Sequence, residues 1–429
     1  MSLVAWFPLN GDLHNQGLDN VALSIANATF TNDGKIGKCL TSNDVASSYI
    51  TIPSLANTQQ LSVTYWARIN AATTTNWRDA VSWLTSDGTT NITNRQEFYS
   101  MKEDQSTMTV GFWFTSDGST QAVSGYTVSL FDWHHYALII DYASGYSAMY
   151  VDGILKGSKN IADTSHYIVG NKFRICDNYI NISECDVRFY NHCLSDKEVK
   201  EISKGLVAHY KLTEPLSSTD TTIYDCSGYN YHGTQLGTLT NSSDTARYSS
   251  STDFDGNTAG VLIENLYLAA IINSDITYSF WIKPNGESGS RSIYFGSYNA
   301  KSWSLEKTNT NYLRLYWAGS PDETTSVSIT DGVWQHICVT KKGTSDVKVY
   351  YNGQLGWSST KAHNTLNFPT TYRIGRDYRS GDGTPYKGLI SDLRIYSTAL
   401  SADDVLELYQ TAASVDNNGN MFAYELKEG

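Results

Sequence analysis

Long apolar runs are absent from this sequence of 429 residues. A membrane-spanning helix needs roughly 18 or more consecutive apolar residues, and no such stretch occurs. The first residues, MSLVAWFPLN, read as a first strand and lack the basic segment and apolar core of a secretory signal. We therefore expect no membrane insertion, no secretory signal and synthesis in a cytoplasm.

Positive charge is also in short supply. The chain has 31 Lys and Arg against 43 Asp and Glu, which gives a formal net charge of -12, and no basic stripe interrupts this surplus. Such a surface repels a phosphate backbone, and it repels an anionic membrane for the same reason. Nucleic acid is therefore not an expected partner.

The sequence signatures of metal centres and hydrolases are missing as well. The six cysteines have no C-x-x-C spacing, so we predict free thiols. No H-E-x-x-H zinc motif and no G-x-S-x-G nucleophile motif occurs. Glu184-Cys185-Asp186 begins like the E-x-D-x-x-E pattern of glucanases, but no third carboxylate follows. Because Arg188 shares a strand face with Asp186, we interpret these two residues as a structural pair and expect no enzyme.

Aromatic residues and glycine are abundant, whereas proline is scarce. The chain has 30 Tyr, 11 Trp and 32 Gly but only 7 Pro. Tyr and Trp favour half-buried strands, and glycine favours the tight turns between them. With 40% hydrophobic residues, the sequence can also bury a core. The composition therefore predicts many strands joined by short turns.

The strongest feature is an internal repeat. Blocks of the first half recur in the second half in the same order, which indicates duplication of a whole domain rather than a solenoid of short repeats. Examples are LVAWFPLN (3–10) and LVAHYKLT (206–213), DWHHYALII (132–140) and GVWQHICVT (332–340), and CDVRFYNHCLSDKEV (185–199) and SDLRIYSTALSADDV (391–405).

Both copies carry the same strand and turn signals. In the run from 346 to 351, Val347, Val349 and Tyr351 alternate with polar neighbours, which predicts a strand with one face on the core. This run ends at Asn352-Gly353, and its counterpart ends at Asp152-Gly153. Both dipeptides favour a type I′ hairpin turn.

Each copy also has one predicted helix near its end. Ser195 with Glu198 forms a capping box, and Ser401 starts a similar segment. Gly205 is predicted to end the first helix. We therefore predict an all-β fold of two tandem β-sandwiches, residues 1–204 and 205–429, each with one short C-terminal helix. The extension from 412 to 429 is expected to return as a last strand or to dock to a neighbour.

The motifs of the second copy resemble those of the laminin-G-like family of concanavalin-A-like jelly rolls. The first copy keeps several of them, but it lacks the F-D-G turn and has Asn15-Gln16-Gly17 in place of the opening D-x-S-G. The segments that carry the resemblance are Asp225-Cys226-Ser227-Gly228, Phe254-Asp255-Gly256, Phe280-Trp281, Trp334-Gln335-His336, Tyr351-Asn352-Gly353 and Asp392-Leu393-Arg394-Ile395-Tyr396.

The ends of the two copies resemble proteins of tailed bacteriophages that infect gut bacteria. The likeness lies in the A-L-S-x-D-D-V segment from Ala399 to Val405 and in the closing segment from Val415 to Glu425. This resemblance implies a virion protein. Other virion proteins and further copies of this chain are then expected partners.

The family resemblance implies a structural calcium ion that joins the opening loop to the closing strand. Calcium takes carboxylate and carbonyl oxygens. The matching positions are Asp225 and Asp392 with the backbone near Asn230, and Asp186 in the first copy. The alternative is that Asp225 forms an Asx-turn and that Asp392 pairs with Arg394.

Sugar binding is the remaining chemistry that the residues suggest. Aromatic rings stack on the C–H faces of sugars, while polar side chains bind the hydroxyls. The alternative is that alternate strand aromatics, and the histidines beside the strand tryptophans, simply fill the core. The candidate residues are Tyr294, Tyr298, Trp303, Tyr316, Trp317 and Trp357 in the second copy, and Trp77, Trp83, Tyr99 and Trp113 in the first.

Three functions are consistent with these observations. The first is a non-catalytic virion or host-adhesion protein that binds carbohydrate on a host surface. The second is a purely structural module that contacts other virion proteins. The third is a polysaccharide-binding module, or an accessory protein of a glycoside hydrolase, from a bacterium, which is then expected at the cell surface or secreted.

Overall fold

The structure is a computed structural model. It describes residues 3–17, 23–25, 28–43, 48–51, 58–71, 79–84, 97–102, 107–116, 119–162, 164–165, 172–176, 181–213, 220–264, 266, 275–286, 291–296, 303–317, 323–362, 371–376, 385–415 and 421–425. The chain divides into two compact units, Met1–Lys204 and Gly205–Gly429. No helix among the described residues is long and apolar enough to cross a membrane.

The described strands of the first unit form two antiparallel sheets. The helix-side sheet, which the helix of the unit covers, has the order β13-β12-β11-β6-β15-β4-β3, with β1 also paired to β15; the opposite sheet has the order β10-β9-β8-β7-β14-β5-β2. The strands are β1 (Leu3–Phe7), β2 (Leu23–Ser24), β3 (Ala28–Thr31), β4 (Cys39–Asn43), β5 (Ser48–Thr51), β6 (Gln60–Ile69), β7 (Asp79–Leu84), β8 (Glu97–Lys102), β9 (Thr107–Ser116), β10 (Ser119–Ser129), β11 (Trp133–Asp141), β12 (Tyr146–Val151), β13 (Ile154–Asn160), β14 (Lys172–Ile175) and β15 (Asn181–Tyr190).

The second unit repeats this plan. Its helix-side sheet has the order β19-β20-β31-β22-β27-β28-β29, with β16 paired to β31, and its opposite sheet runs β17-β18-β21-β30-β23-β24-β25-β26. The strands are β16 (Leu206–Tyr210), β17 (Thr222–Ile223), β18 (Gly233–Leu236), β19 (Leu239–Ser242), β20 (Ser251–Asp255), β21 (Gly260–Ile263), β22 (Ile276–Pro284), β23 (Arg291–Gly296), β24 (Trp303–Thr308), β25 (Tyr312–Trp317), β26 (Glu323–Ser328), β27 (Gln335–Lys342), β28 (Asp346–Tyr351), β29 (Gln354–Ser359), β30 (Tyr372–Ile374) and β31 (Lys387–Tyr396).

The cores lie between the sheets of each unit. In the first unit, Phe173 of β14 packs on Phe189 of β15, with ring centroids 4.8 Å apart. In the second, Tyr278 of β22 lies 5.5 Å from Phe295 of β23 by the same measure. Each pair joins one strand of each sheet, so side chains from both sheets meet in the core between them. The prediction of two β-sandwiches is therefore confirmed.

One short helix covers the outer face of each helix-side sheet. Helix α1 (Asp196–Ser203) begins at Ser195, whose hydroxyl accepts from the backbone of Glu198 in the predicted capping box. Helix α2 (Ala402–Gln410) has Ser401 and Asp404 in the matching places. Apolar residues of both helices, such as Val199 and Val405, pack on the sheet.

The predicted turns and thiols are confirmed. Asp152-Gly153 and Asn352-Gly353 all have positive φ values, as a type I′ turn requires. The six cysteines are free. The C-terminal extension differs from its predicted last strand: β32 (Thr411–Val415) and β33 (Met421–Glu425) form a separate two-stranded sheet. The helix α2 that precedes them packs on the outer face of its sheet, so the chain leaves the sandwich before it reaches β32.

A histidine is buried beside a tryptophan under the outer face of each unit. His135 lies 5.3 Å from Trp66, and His336 lies 5.2 Å from Trp281, between ring centroids. Both histidines are almost fully buried. Burial disfavours the charged imidazole and lowers the pKa of each histidine to about 3.

These histidines predict a loss of stability in mild acid. The unfolded imidazole binds a proton below about pH 6.5, whereas the folded one stays neutral until about pH 3. The free energy of unfolding therefore falls as the pH falls through this window, by about 2 kcal/mol per histidine between pH 7 and pH 5. Urea unfolding of the His135→Leu variant should show a smaller loss than wild type. The exposed His14→Leu variant is the control, and an equal loss in all three proteins would contradict the prediction.

Candidate functional site

The residues predicted to bind calcium are bound to protein groups instead. One oxygen of Asp225 accepts from the backbone N–H groups of His209 (2.9 Å) and Ser227 (2.9 Å). The other accepts from the Ser227 hydroxyl (2.7 Å) and the backbone N–H of Tyr231 (3.1 Å). Asp225 therefore forms an Asx-turn, and Asn230 beside it has an exposed side chain.

Asp392 is the centre of a buried ion-pair cluster. Its carboxylate lies 2.8 Å from Nε of Arg394, 2.9 Å from Nε of Arg247 and 2.9 Å from Nε2 of His209. Tyr248 donates its hydroxyl to the same carboxylate at 3.0 Å. Burial alone would raise the pKa of Asp392, but the charges of Arg394 and Arg247 and the hydrogen bond from His209 hold it well below its ordinary value.

This arrangement does not fit a calcium ion. Two guanidinium groups stand where the cation would bind Asp392, and the oxygens of Asp225 face backbone donors. No group of three or more His, Cys, Asp and Glu side chains that could hold a metal occurs among the described residues. The alternative reading, an Asx-turn at Asp225 and a pair between Asp392 and Arg394, describes what these residues do.

The first unit repeats the cluster with different partners. Asp186 accepts from the indole Nε1 of Trp6 (2.6 Å) and from Nε of Arg188 (2.8 Å). Asn15 takes the place of Asp225 and accepts from the backbone N–H groups of Trp6 and Gly17, each at 2.8 Å. Asp186 is thus paired with Arg188 inside the first unit, which agrees with the structural interpretation of these two residues.

The acidic pair that resembled a glucanase pattern does not face a cleft. Glu184 and Asp186 are both almost fully buried. Glu184 accepts from the backbone N–H of Cys176 at 2.8 Å and from its thiol at 3.2 Å. Both carboxylates therefore serve the interior of the sandwich.

The structure tests only part of the predicted sugar-binding set. Tyr294 is fully buried and packs 5.3 Å from Tyr386, between ring centroids, so its ring is core and the prediction for it is wrong. Trp357 is half-buried on β29. Tyr298 and Trp77 lie outside the described residues, and for Trp303, Trp317 and Trp113 only the strand is described.

A group that the sequence analysis missed lies at one end of each helix-side sheet. We call it the tryptophan cluster: Asp33, Arg68 and Trp133 in the first unit, and Asp244, Lys283 and Trp334 in the second. In both units the acid lies in the loop between two paired edge strands, the cation lies near the end of a central strand, and the tryptophan lies at the start of the next strand. The signal for it was the same order of acid, cation and W-x-H tryptophan in both copies.

In the first unit the cation lies over the ring. Arg68 and Trp133 are cross-strand partners, and Cζ of Arg68 is 5.1 Å from the centroid of Trp133. Nη2 of Arg68 lies 2.5 Å from Oδ2 of Asp33, whose side chain is 53% exposed. The Nε of Arg68 donates to Asn70 at 2.8 Å. These contacts fix the guanidinium in place beside a half-exposed aromatic face.

In the second unit the acid bridges the other two members. Asp244 accepts from Nζ of Lys283 at 2.5 Å and from the indole Nε1 of Trp334 at 2.8 Å. Its side chain is 46% exposed. Hydrogen bonds from Lys283 and Trp334 lower the pKa of Asp244. For Asp33, burial opposes ionisation, but hydrogen bonds from Arg68 and Thr31 outweigh it and lower the pKa.

The tryptophan cluster has the chemistry of a sugar site. A half-buried tryptophan, a carboxylate and a cation lie together in each unit, and groups of these types contact the C–H faces and hydroxyl groups of sugars. The side chains are held by neighbours, so little rotamer freedom is left to lose on binding.

Comparison with known proteins supports the fold. The family described as the concanavalin A-like lectin/glucanases superfamily matches residues 43–200 and 255–406, which is more than half of the chain. No curated protein matches the sequence.

Solved structures show weaker likenesses. Domain 4 of AbnA, an extracellular arabinanase from Geobacillus stearothermophilus in complex with arabinotriose, is 23% identical, with 48% of this chain and 98% of that chain covered and a TM-score of 0.38. The receptor-binding domain of a botulinum neurotoxin C/D mosaic is 16% identical, with 52% and 62% covered and a TM-score of 0.39. The Trypanosoma rangeli sialidase is 12% identical, with 89% and 61% covered and a TM-score of 0.37.

The buried cluster predicts unequal effects of two similar substitutions. Asp392→Asn leaves Arg394 and Arg247 without their anion and should cost about 3–5 kcal/mol of unfolding free energy. Asp225→Asn should cost less, about 1–3 kcal/mol, because the amide keeps one acceptor oxygen, as Asn15 does in the first unit, but leaves the N–H of Tyr231 without its acceptor. Urea unfolding measures both values. A calcium ion shared by Asp225 and Asp392 would instead make both changes costly and make the unfolding midpoint depend on added calcium.

Proposed function

The chain belongs to the concanavalin A-like lectin/glucanases superfamily, and on this premise we propose that it binds a neutral carbohydrate without cleaving it. The observation that carries the proposal is the tryptophan cluster, in which a half-buried tryptophan, a cation and a partly exposed carboxylate lie at the same place in both units. The name of the superfamily covers both lectins and hydrolases, and we take the composition of the cluster as support for binding.

The electrostatics of the clusters favour a neutral sugar. Each cluster contains one carboxylate and one cation in contact, so it offers no unpaired positive charge to an acidic sugar. The net charge of -12 adds a repulsive background. A neutral sugar meets neither cost and still finds an indole face and hydrogen-bonding groups.

The state of the carboxylates supports binding without catalysis. Glycoside hydrolysis needs one carboxyl group that keeps its proton and a second one across the scissile bond. Asp33 and Asp244 have lowered pKa values and stay ionised beside a cation. Glu184 and Asp186 are buried and bound to protein donors. These residues suit hydrogen bonding better than proton transfer.

We place this activity on a virion, in host adhesion. The support is the resemblance of the segments from Ala399 to Val405 and from Val415 to Glu425 to proteins of tailed bacteriophages. Two sites per chain, multiplied by several copies on a particle, would turn weak single contacts into firm attachment. Mass spectrometry of purified particles would test this placement, and absence of the chain from them would contradict it.

A structural role in contact with other proteins is the second candidate. The hairpin after β12 exposes Ile154 (61%) and Leu155, and the matching hairpin of the second unit exposes Leu355 (55%). Exposed aliphatic side chains at the same turn of both copies favour a protein partner. This role predicts that Leu155→Ser with Leu355→Ser reduces co-purification with other virion proteins and leaves sugar binding unchanged.

The tryptophan clusters predict which substitutions abolish sugar binding. Trp133→Ala with Trp334→Ala removes both stacking faces and should weaken binding to immobilised neutral polysaccharides by at least about tenfold. Tyr312→Ala, which removes an exposed aromatic elsewhere on the second unit, is the matched control. Equal binding by all three proteins would contradict the proposal.

The same polysaccharides test the absence of cleavage. Prolonged incubation with the wild-type protein should release no reducing ends, because the cluster carboxylates stay ionised. Binding in the presence of a chelator should equal binding without it. Release of oligosaccharides would contradict the non-catalytic proposal.

A further inference from the structure

The two units share unusual backbone conformations at matching positions. Leu9 and Leu212 both have positive φ values, and so do Asp186 and Asp392. Positive φ strains the backbone of most L-residues other than Asn and Asp, because Cβ then lies too close to the following carbonyl oxygen. The repeated outliers therefore belong to the common scaffold of the fold.

Two positions break this symmetry. Cys176 and Phe131 have positive φ values of 51° and 67°, whereas their counterparts in the second unit are Gly375 and Gly332. At Cys176 the neighbours explain the larger residue: its side chain is buried, and its N–H and thiol both donate to Glu184. The strain at Cys176 is offset inside the fold.

No hydrogen bond or ring contact from the Phe131 side chain to a described residue offsets its backbone conformation in this way. Its side chain is 60% exposed. Its N–H donates to the carbonyl of Ile69 at 3.0 Å, and Gly332 makes the same kind of bond to Pro284 at 2.7 Å without a side chain. Phenylalanine at positive φ is a marked outlier. The first unit thus keeps a large apolar ring in a strained and exposed place where the second unit has glycine.

Phe131 adjoins the tryptophan cluster of the first unit. The chain runs Phe131-Asp132-Trp133, and Asp132 is exposed. The second unit has Gly332-Val333-Trp334 at this place. The first unit therefore has an exposed phenylalanine and an exposed aspartate in the two positions before its cluster tryptophan, whereas the second unit has a glycine and an exposed valine there.

We propose that Phe131 and Asp132 contact the bound sugar and make the first unit the tighter site, with neutral hexopyranose oligosaccharides as its ligand class. This inference rests on the proposed function. Backbone strain that the fold does not repay is typical of functional sites. Phe131 gives a second stacking face for a neighbouring sugar ring, and Asp132 accepts hydrogen bonds from hydroxyl groups, which Val333 cannot do.

Exchange of the two residues at this turn tests the inference. The Phe131→Gly variant should bind about 5- to 20-fold more weakly in calorimetric titration of the full chain with cellotetraose, laminaritetraose and galactotetraose. Its Tm should rise by about 2–4 °C, because glycine removes the strain. A Cβ at Gly332 would meet open space, so the Gly332→Phe variant should fold, lose a few degrees of Tm and bind more tightly at the second unit.

A binding role of Phe131 predicts that the Phe131→Gly variant has a lower affinity for sugar and a higher Tm. A phenylalanine kept for packing would make Phe131→Gly less stable, and that result overturns the inference. Unchanged affinity in Phe131→Gly together with lost affinity in Trp133→Ala overturns the inference and leaves the proposed function standing. Binding of none of the three sugars by the wild-type chain overturns both.

Discussion

The fold of each unit depends on one buried carboxylate in the closing strand. Asp186 and Asp392 occupy a bulge with positive φ, and their N–H groups donate to Pro8 and Lys211 of the first-strand segment. The arginine two residues later neutralises each charge. Because a buried charge is costly without partners, this contact fixes the first strand, the bulge and the closing strand in one arrangement.

The partners of that carboxylate differ between the copies, although its position does not. In the first unit the indole N–H of Trp6 donates to Asp186. In the second unit the imidazole of His209 and the guanidinium of Arg247 contact Asp392. Arg247 also donates to the carbonyl of Leu408 at the end of α2. The second unit thereby ties its helix to the ion-pair cluster. Both copies therefore keep a buried carboxylate with cationic or hydrogen-bonding partners at this position, although the partners differ between the copies.

Features that depend only on residues adjacent in the chain could be predicted from the sequence. The hairpins at Asp152-Gly153 and Asn352-Gly353 and the cap at Ser195 follow from neighbouring residues alone. Burial was harder to predict, because an aromatic on a strand alternates equally well toward the core or toward solvent. Tyr294 was predicted to bind sugar and is core, whereas the tryptophans of the W-x-H motif, which were not among the predicted sugar-binding residues, lie half-buried beside a cation and an acid. Only the pairing of distant strands brings these three groups together.

The tryptophan cluster also shows why a binding site can develop at this end of the sheet without cost to the core. Trp133 begins β11 and Trp334 directly precedes β27, and each follows a short turn. A turn accepts substitutions that a central strand does not. The buried carboxylates Asp186 and Asp392 are paired with arginines of their own unit. The residues of the tryptophan cluster can therefore differ between the copies without removing a partner of these carboxylates. The buried carboxylates thus stabilise the sandwich, and the sugar contacts that we propose involve a different set of side chains in the same sheet.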